Sequence, residues 1–164
     1  MRRSLKLVLP ILLLTLSLGA VLAGENATHQ IFVTIPEIIQ LELSATSVDL
    51  GSFLVNGELL DTIAAENALT VNYRCNTPEW ELSVKATKFE NEKDSSATIP
   101  VSQLKWRKAS EATGRQMGEF PSTVVQGNGP VAASTDIYYE MDRYDSAMSG
   151  RYSSTVTYTL VALP

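Results

Sequence analysis

The clearest signal along the chain is alternation of apolar and polar residues with a period of two, the pattern of half-buried β-strands. In the run 68–75, Leu69, Val71, Tyr73 and Cys75 share one face and Thr70, Asn72 and Arg74 the other. The next run is cleaner: Trp80, Leu82, Val84 and Ala86 alternate with Glu81, Ser83, Lys85 and Thr87. Only Asn76-Thr77-Pro78 separates the two, which predicts an antiparallel hairpin or a tight crossing between sheets. Further runs are Ile31, Val33 and Ile35 before Pro36, then Ile39, Leu41 and Leu43, then Val48 and Leu50 ahead of Gly51. Ile99 and Val101 change phase to Leu104 and Trp106, as a bulge near Ser102 would produce. Val124 and Val125 mark a shorter strand, and Ile137, Tyr139 and Met141 oppose Asp136, Tyr138, Glu140 and Asp142. Last, Tyr152, Ser154, Val156, Tyr158 and Leu160 oppose Thr155, Thr157 and Thr159.

Only the stretch 59–67 leans towards helix. About eight or nine short strands without long helices predict an all-β, antiparallel sandwich or barrel. Gly150-x-Tyr152 at the start of the last strand favours the immunoglobulin-like kind, in which a tyrosine hydrogen-bonds backward across a corner. An ordinary core tyrosine is the alternative. Lys85, Lys88 and Lys105 read as guards of exposed sheet edges.

The first residues follow a different pattern. Arg2, Arg3 and Lys6 precede an apolar run from Leu7 to Leu18, and Val21 and Ala23 suit the −3 and −1 positions of a signal peptidase site. Residues 1–23 are therefore expected to be a cleaved signal peptide, in preference to a retained anchor, because Pro10 weakens a full span. That leaves residues 24–36 as an N-terminal extension or first strand and 37–164 as the sandwich. It also makes the protein secreted, at the cell surface or extracellular, with no stable membrane span after cleavage. Losing the three leader cations leaves ten Lys and Arg against eighteen Asp and Glu, a net charge of −8 in 141 residues. So acidic a chain is not expected to bind nucleic acid.

The side-chain inventory is poor for catalysis. The only histidine, His29, lies six residues past the cleavage site, where no positioned base is expected. The only cysteine, Cys75, cannot form an internal disulfide and faces the predicted core. No phosphate-cradling or dinucleotide fingerprint is present, and no spacing singles out a carboxylate pair. The chain is expected to be non-enzymatic and without a cofactor.

Three groups remain as candidates for binding. Asp136, Tyr138 and Glu140 share a polar strand face that could take a small ligand or a sugar. Asp142 and Asp145 are the better pair for calcium within the local acidic group, a solvated acidic face being preferred. Trp80 and Trp106 are phased with aliphatic residues and read as core. The third group, Ile31, Val33 and Ile35, is either the first strand of the sandwich, the preferred reading, or a strand donated to a neighbouring copy. Asn26-Ala27-Thr28 is a glycosylation sequon.

Val48-Asp-Leu-Gly51, Trp80-x-Leu82, Gly150-x-Tyr152 and the terminal Pro164, in this order, resemble the WxL-type cell-surface domain of Gram-positive bacteria. The second Trp-x-Leu of that family is Tyr158-Thr-Leu160 here. The resemblance implies non-covalent attachment to a cell-wall polymer and covers about the last two-thirds of the chain. The Gly-x-Tyr strand and the threonine-rich last strand are also similar to spore-coat-U and fimbrial subunits, which are exported sandwiches that pair strands within or between subunits. Together these features predict a cell-surface structural or adhesion protein, acting by wall attachment or by strand-mediated assembly with other copies. A small-ligand or carbohydrate-binding module is the alternative.

Overall fold

The alternating runs become strands wherever their apolar faces can meet a second sheet. The computed structural model describes residues 27–65 and 67–164, so the leader assigned to residues 1–23 and Asn26 of the sequon lie outside the described residues. The chain divides into residues 1–34, described from 27, and a body from Ile35 to Pro164.

The strands of the body are, in order, β1 (Ile39–Leu43), β2 (Leu54–Val55), β3 (Glu58–Leu59), β4 (Thr62–Ala64), β5 (Leu69–Cys75), β6 (Glu79–Ala86) and β7 (Phe89–Asn91). There follow β8 (Thr98–Ile99), β9 (Leu104–Lys108), β10 (Arg115–Gln116), β11 (Ser122–Asn128), β12 (Val131–Asp142), β13 (Tyr152–Ser153) and β14 (Val156–Ala162). The large sheet runs β1-β5-β12-β9-β10, with β4 also on β12; a second sheet runs β11-β6-β14. Two small sheets, β13-β7-β8 and β2-β3, complete an all-β body in which every pairing is antiparallel. The count exceeds eight or nine because five of these strands have only two residues.

The core forms between the two main sheets. Val71 from β5, Leu82 and Val84 from β6, Trp106 from β9 and Ile137 from β12 are each at most 1% exposed. β12 is the backbone of the large sheet: its first part pairs with β5, its last part with β4, and its middle with β9 on the other side. The link 76–78 proves to be a crossing, since β5 and β6 lie in different sheets. Cys75 and Thr77 are buried at that crossing, with Sγ 2.9 Å from Oγ1, and Thr77 also donates to the Glu79 carbonyl at 3.0 Å.

Several local expectations are corrected. The described residues of the stretch 59–67 are not helical: Leu59 pairs with Leu54 in a hairpin closed by Asn56-Gly57, both at positive φ (52° and 85°), the geometry of a tight two-residue turn. Ile63 of the same stretch is a buried residue of β4. Val48 and Leu50 form no strand, because the Asp49 carboxylate accepts from the Gly51 N–H at 2.8 Å and turns the chain. The phase change before Leu104 is made by a 3₁₀ turn over Val101–Gln103, whereas the bulge lies in β11 between Thr123 and Val125. Lys85 and Lys105 are on β6 and β9, which have neighbours on both sides, so neither guards an edge.

The first strand of the sandwich is also not where the pattern put it. Residues 27–38 form no strand, and the large sheet starts at Ile39. The cause is local. Asn76 accepts from the Ile38 N–H through Oδ1 at 2.7 Å and donates through Nδ2 to the Pro36 carbonyl at 2.8 Å. The Asn76 N–H still donates to the Ile38 carbonyl at 3.2 Å, but the side chain takes the reciprocal bond, and Pro36 has no N–H to extend the ladder.

Candidate functional site

The polar face of β12 carries the ligand candidates, and each already has a partner. Asp136 accepts a 2.7 Å hydrogen bond from the Thr70 hydroxyl. Glu140 lies 3.8 Å from the Lys105 ammonium, which is bound more closely by Asp142 at 2.7 Å. The hydrogen bond that Lys105 donates to Asp142 holds its ammonium above the ordinary lysine pKa. Tyr138 pairs across the strands with Arg107, whose guanidinium sits 4.6 Å from the ring centroid. One face of the ring is therefore taken by a cation, which leaves a stacking sugar only the other. Lys105, Arg107, Tyr138 and Glu140, with Ala64 and Gly114, border a shallow cavity of about 270 Å³.

The two carboxylates of the calcium pair are each engaged by a basic side chain. Asp142 is bound to Lys105, and Asp145 accepts from Arg143 Nε at 2.7 Å. Each carboxylate has its own cation, and among the described residues no cluster of three or more metal-ligating side chains occurs.

The residues of the Trp-x-Leu pattern sit inside the sandwich. Trp80, Leu82, Tyr158 and Leu160 are all buried, and Tyr158 and Leu160 face Val84 and Leu82 across the β14–β6 pairing. The Trp80 indole donates to the Gly129 carbonyl at 3.0 Å and lies over Gly127, where a Cβ would come within 2.7 Å of the ring. Tyr158 takes its polar partner from the opposite sheet: its hydroxyl is 2.6 Å from that of Tyr139. Tyr152 donates to the carbonyl of Met148, four residues earlier, at 2.9 Å. Gly150 has φ +153° and is pressed against Asn91, leaving no room for a Cβ. Both halves of Gly150-x-Tyr152 thus shape the loop that enters β13.

The arm differs from all of these. Ile31 and Val33 are each 85% exposed and Ile35 is 75% exposed, with Phe32 equally open. His29 is exposed in the same segment, while Cys75 is buried in the body.

Two features were missed in the sequence. Arg107 is the covering partner of Tyr138, but only the β9–β12 register brings the two together, and register across thirty residues has no local signature. The second is a groove of about 740 Å³ at the Leu69 end of β5, bordered by Val48, Leu50, Val55, Leu60, Ile63 and Leu69. No protein-family model matches the chain, and no curated protein is significantly similar to it.

Proposed function

We propose that this is an exported, non-catalytic β-sandwich of the immunoglobulin-like kind that serves a structural role at the cell surface by joining to further copies of itself. The observation that carries this reading is the arm. Three alternating apolar side chains, Ile31, Val33 and Ile35, are exposed to water, while the body has a core cluster of its own. Side chains of this kind lose roughly 1.5–3 kcal/mol each by remaining exposed, which a partner surface would recover. Backbone pairing would supply register and further affinity.

Wall attachment through the Trp-x-Leu residues is less well supported. Trp80, Leu82, Tyr158 and Leu160 fill the core and present no face to a polymer. A catalytic role lacks support for a related reason: the Cys75 thiol is buried in the body and closed to a substrate.

Light scattering on the chain from Gly24, compared with one lacking residues 24–36, tests the reading. Concentration-dependent oligomers that vanish on truncation are expected. A strictly monomeric protein, unchanged by truncation, overturns it. Cell fractionation adds the location, and recovery in the cytoplasm would count against export.

A further inference from the structure

The dipeptide Asn-Gly occurs twice in the chain, at Asn56-Gly57 and at Asn128-Gly129. In this setting an asparagine amide is most open to attack by its own backbone. The nucleophile is the nitrogen of the following residue, and glycine has no side chain to shield it. Both glycines meet that condition, since a Cβ on either would find nothing within 4 Å. Both also lie at positive φ, 85° for Gly57 and 74° for Gly129. Sequence and backbone conformation therefore do not separate the two sites. Their hydrogen bonds do.

The nitrogen of Gly129 is engaged. It donates to the Pro78 carbonyl at 2.6 Å, and the Gly129 carbonyl accepts from the Trp80 indole at 3.0 Å. Asn128 ends β11 and is paired with Glu79 of β6. Attack at Asn128 would require these bonds to break beside Trp80, a buried core residue.

At Asn56-Gly57 no such hold exists. Both residues are exposed, and among the described residues neither the Asn56 amide nor the Gly57 N–H has a hydrogen-bond partner. The turn joins β2 and β3, which pair only with each other, through two residue pairs. So small a two-stranded hairpin is marginal by itself. Its base is fixed separately: the Leu60 N–H donates to the Phe53 carbonyl at 2.7 Å, and Arg143 holds Asp61 at 3.1 Å. The tip can open while the body stays folded.

We propose that Asn56 deamidates spontaneously in the folded protein, by attack of its own backbone, and that Asn128 does not. The Gly57 nitrogen gives its proton to solvent base and bonds to Asn56 Cγ. The side-chain nitrogen takes up a proton and leaves as ammonia, which closes a five-membered succinimide. Water then adds to one of the two ring carbonyls and breaks its C–N bond, giving aspartate or isoaspartate. One water is consumed and one ammonia released, with no oxidant or reductant. Isoaspartate adds one carbon to the main chain of a two-residue turn. Either product adds a negative charge to a hairpin whose Val55 and Leu60 border the 740 Å³ groove.

The test holds the full chain from Gly24 in mildly alkaline buffer made with heavy-oxygen water and maps its peptides by mass spectrometry over time. In the native protein, conversion at Asn56 should run at least about tenfold faster than at Asn128. In urea the two rates should converge, because the dipeptides are the same and neither is held. The Asn56 product should be a mixture of aspartate and isoaspartate carrying one heavy oxygen. Equal native rates, faster conversion at Asn128, or conversion at neither site before unfolding overturns the proposal. Aspartate without its isomer overturns the backbone attack, since direct hydrolysis of the amide gives no isoaspartate.

Discussion

The hydroxyl of Tyr139 on β12 lies 2.6 Å from the hydroxyl of Tyr158 on β14, joining the two main sheets through their shared core. Both rings are buried, at 5% and 9% exposure, so each phenol is the other's means of satisfying a polar group away from water. Burial pushes the Tyr139 hydroxyl up to about 12 from its ordinary 10, and burial together with the neighbouring Tyr139 pushes Tyr158 up further.

Alkaline stability follows from this pair. A folded-state pKa above the unfolded one means that the native protein binds the proton more tightly. The contribution is fully present below about pH 10 and is lost as pH rises through about 12. The midpoint of thermal unfolding should stay level up to about pH 10 and then fall steeply, with phenolate absorbance rising in the same transition. Tyr139→Phe should cost about 1 kcal/mol at neutral pH by unpairing Tyr158. It should also flatten the alkaline limb. An unchanged limb would mean that other groups drive the transition.

Two glycines are held by their neighbours rather than by turns. At Gly127 a Cβ would come within 2.7 Å of the Trp80 ring, and at Gly150 it would meet Asn91 at a φ that disfavours any L side chain. Gly127→Ala and Gly150→Ala should each destabilise by about 1–3 kcal/mol. The measurement is urea unfolding, with a lower midpoint and an unchanged slope. Gly118→Ala is the control: its nearest neighbour is at 3.6 Å, so it should shift the midpoint little.

Cys75 should behave as a core residue with a thiol. It is 1% exposed and 2.9 Å from the Thr77 hydroxyl. Its reaction with a small disulfide reagent should be at least about a thousandfold slower in the native protein than in urea, because access requires opening of the body. Non-reducing gels should show no disulfide-linked dimer of the natural chain. Rapid native labelling would mean that the crossing between β5 and β6 opens on its own.

What could be read in the sequence was whatever depended on the faces of single strands. The inward set Leu69, Val71, Tyr73 and Cys75 follows from period-two alternation, and so do Trp80, Leu82 and Val84, because burial of one face imposes that period directly. What could not be read depended on pairing between distant segments. The stretch 59–67 looks helical by composition, yet Leu59 and Thr62–Ala64 are strand because Leu54 and β12 offer them partners. The alternation of Ile31, Val33 and Ile35 resembles a first strand, yet the Asn76 side chain ends the sheet three residues later. The same limit applies to the site. The exposed arm is a run of neighbours and was visible, whereas the groove is built from β4, β5 and the loop before β2 and has no signature in any one of them.

The two tryptophans give the sharpest comparison of hydrogen bonding at constant shape. Trp80 and Trp106 are both nearly inaccessible, at 4% and 1% exposure. The Trp80 Nε1 donates to the Gly129 carbonyl at 3.0 Å, whereas Trp106 Nε1 is buried with no partner among the described residues. Replacing either by Phe removes a similar ring volume and leaves a similar cavity. Trp80→Phe also orphans the Gly129 carbonyl, while Trp106→Phe removes a polar group that was already unsatisfied. Trp80→Phe should therefore be the more destabilising by about 1–2 kcal/mol. Arg115, whose guanidinium is 5.4 Å from the Trp106 ring, keeps a phenyl face beneath it in the variant and narrows the cost of Trp106→Phe further. Urea midpoints of the two variants measure the difference. Equal losses, or a larger loss at Trp106, would show that packing outweighs the hydrogen bond at these sites.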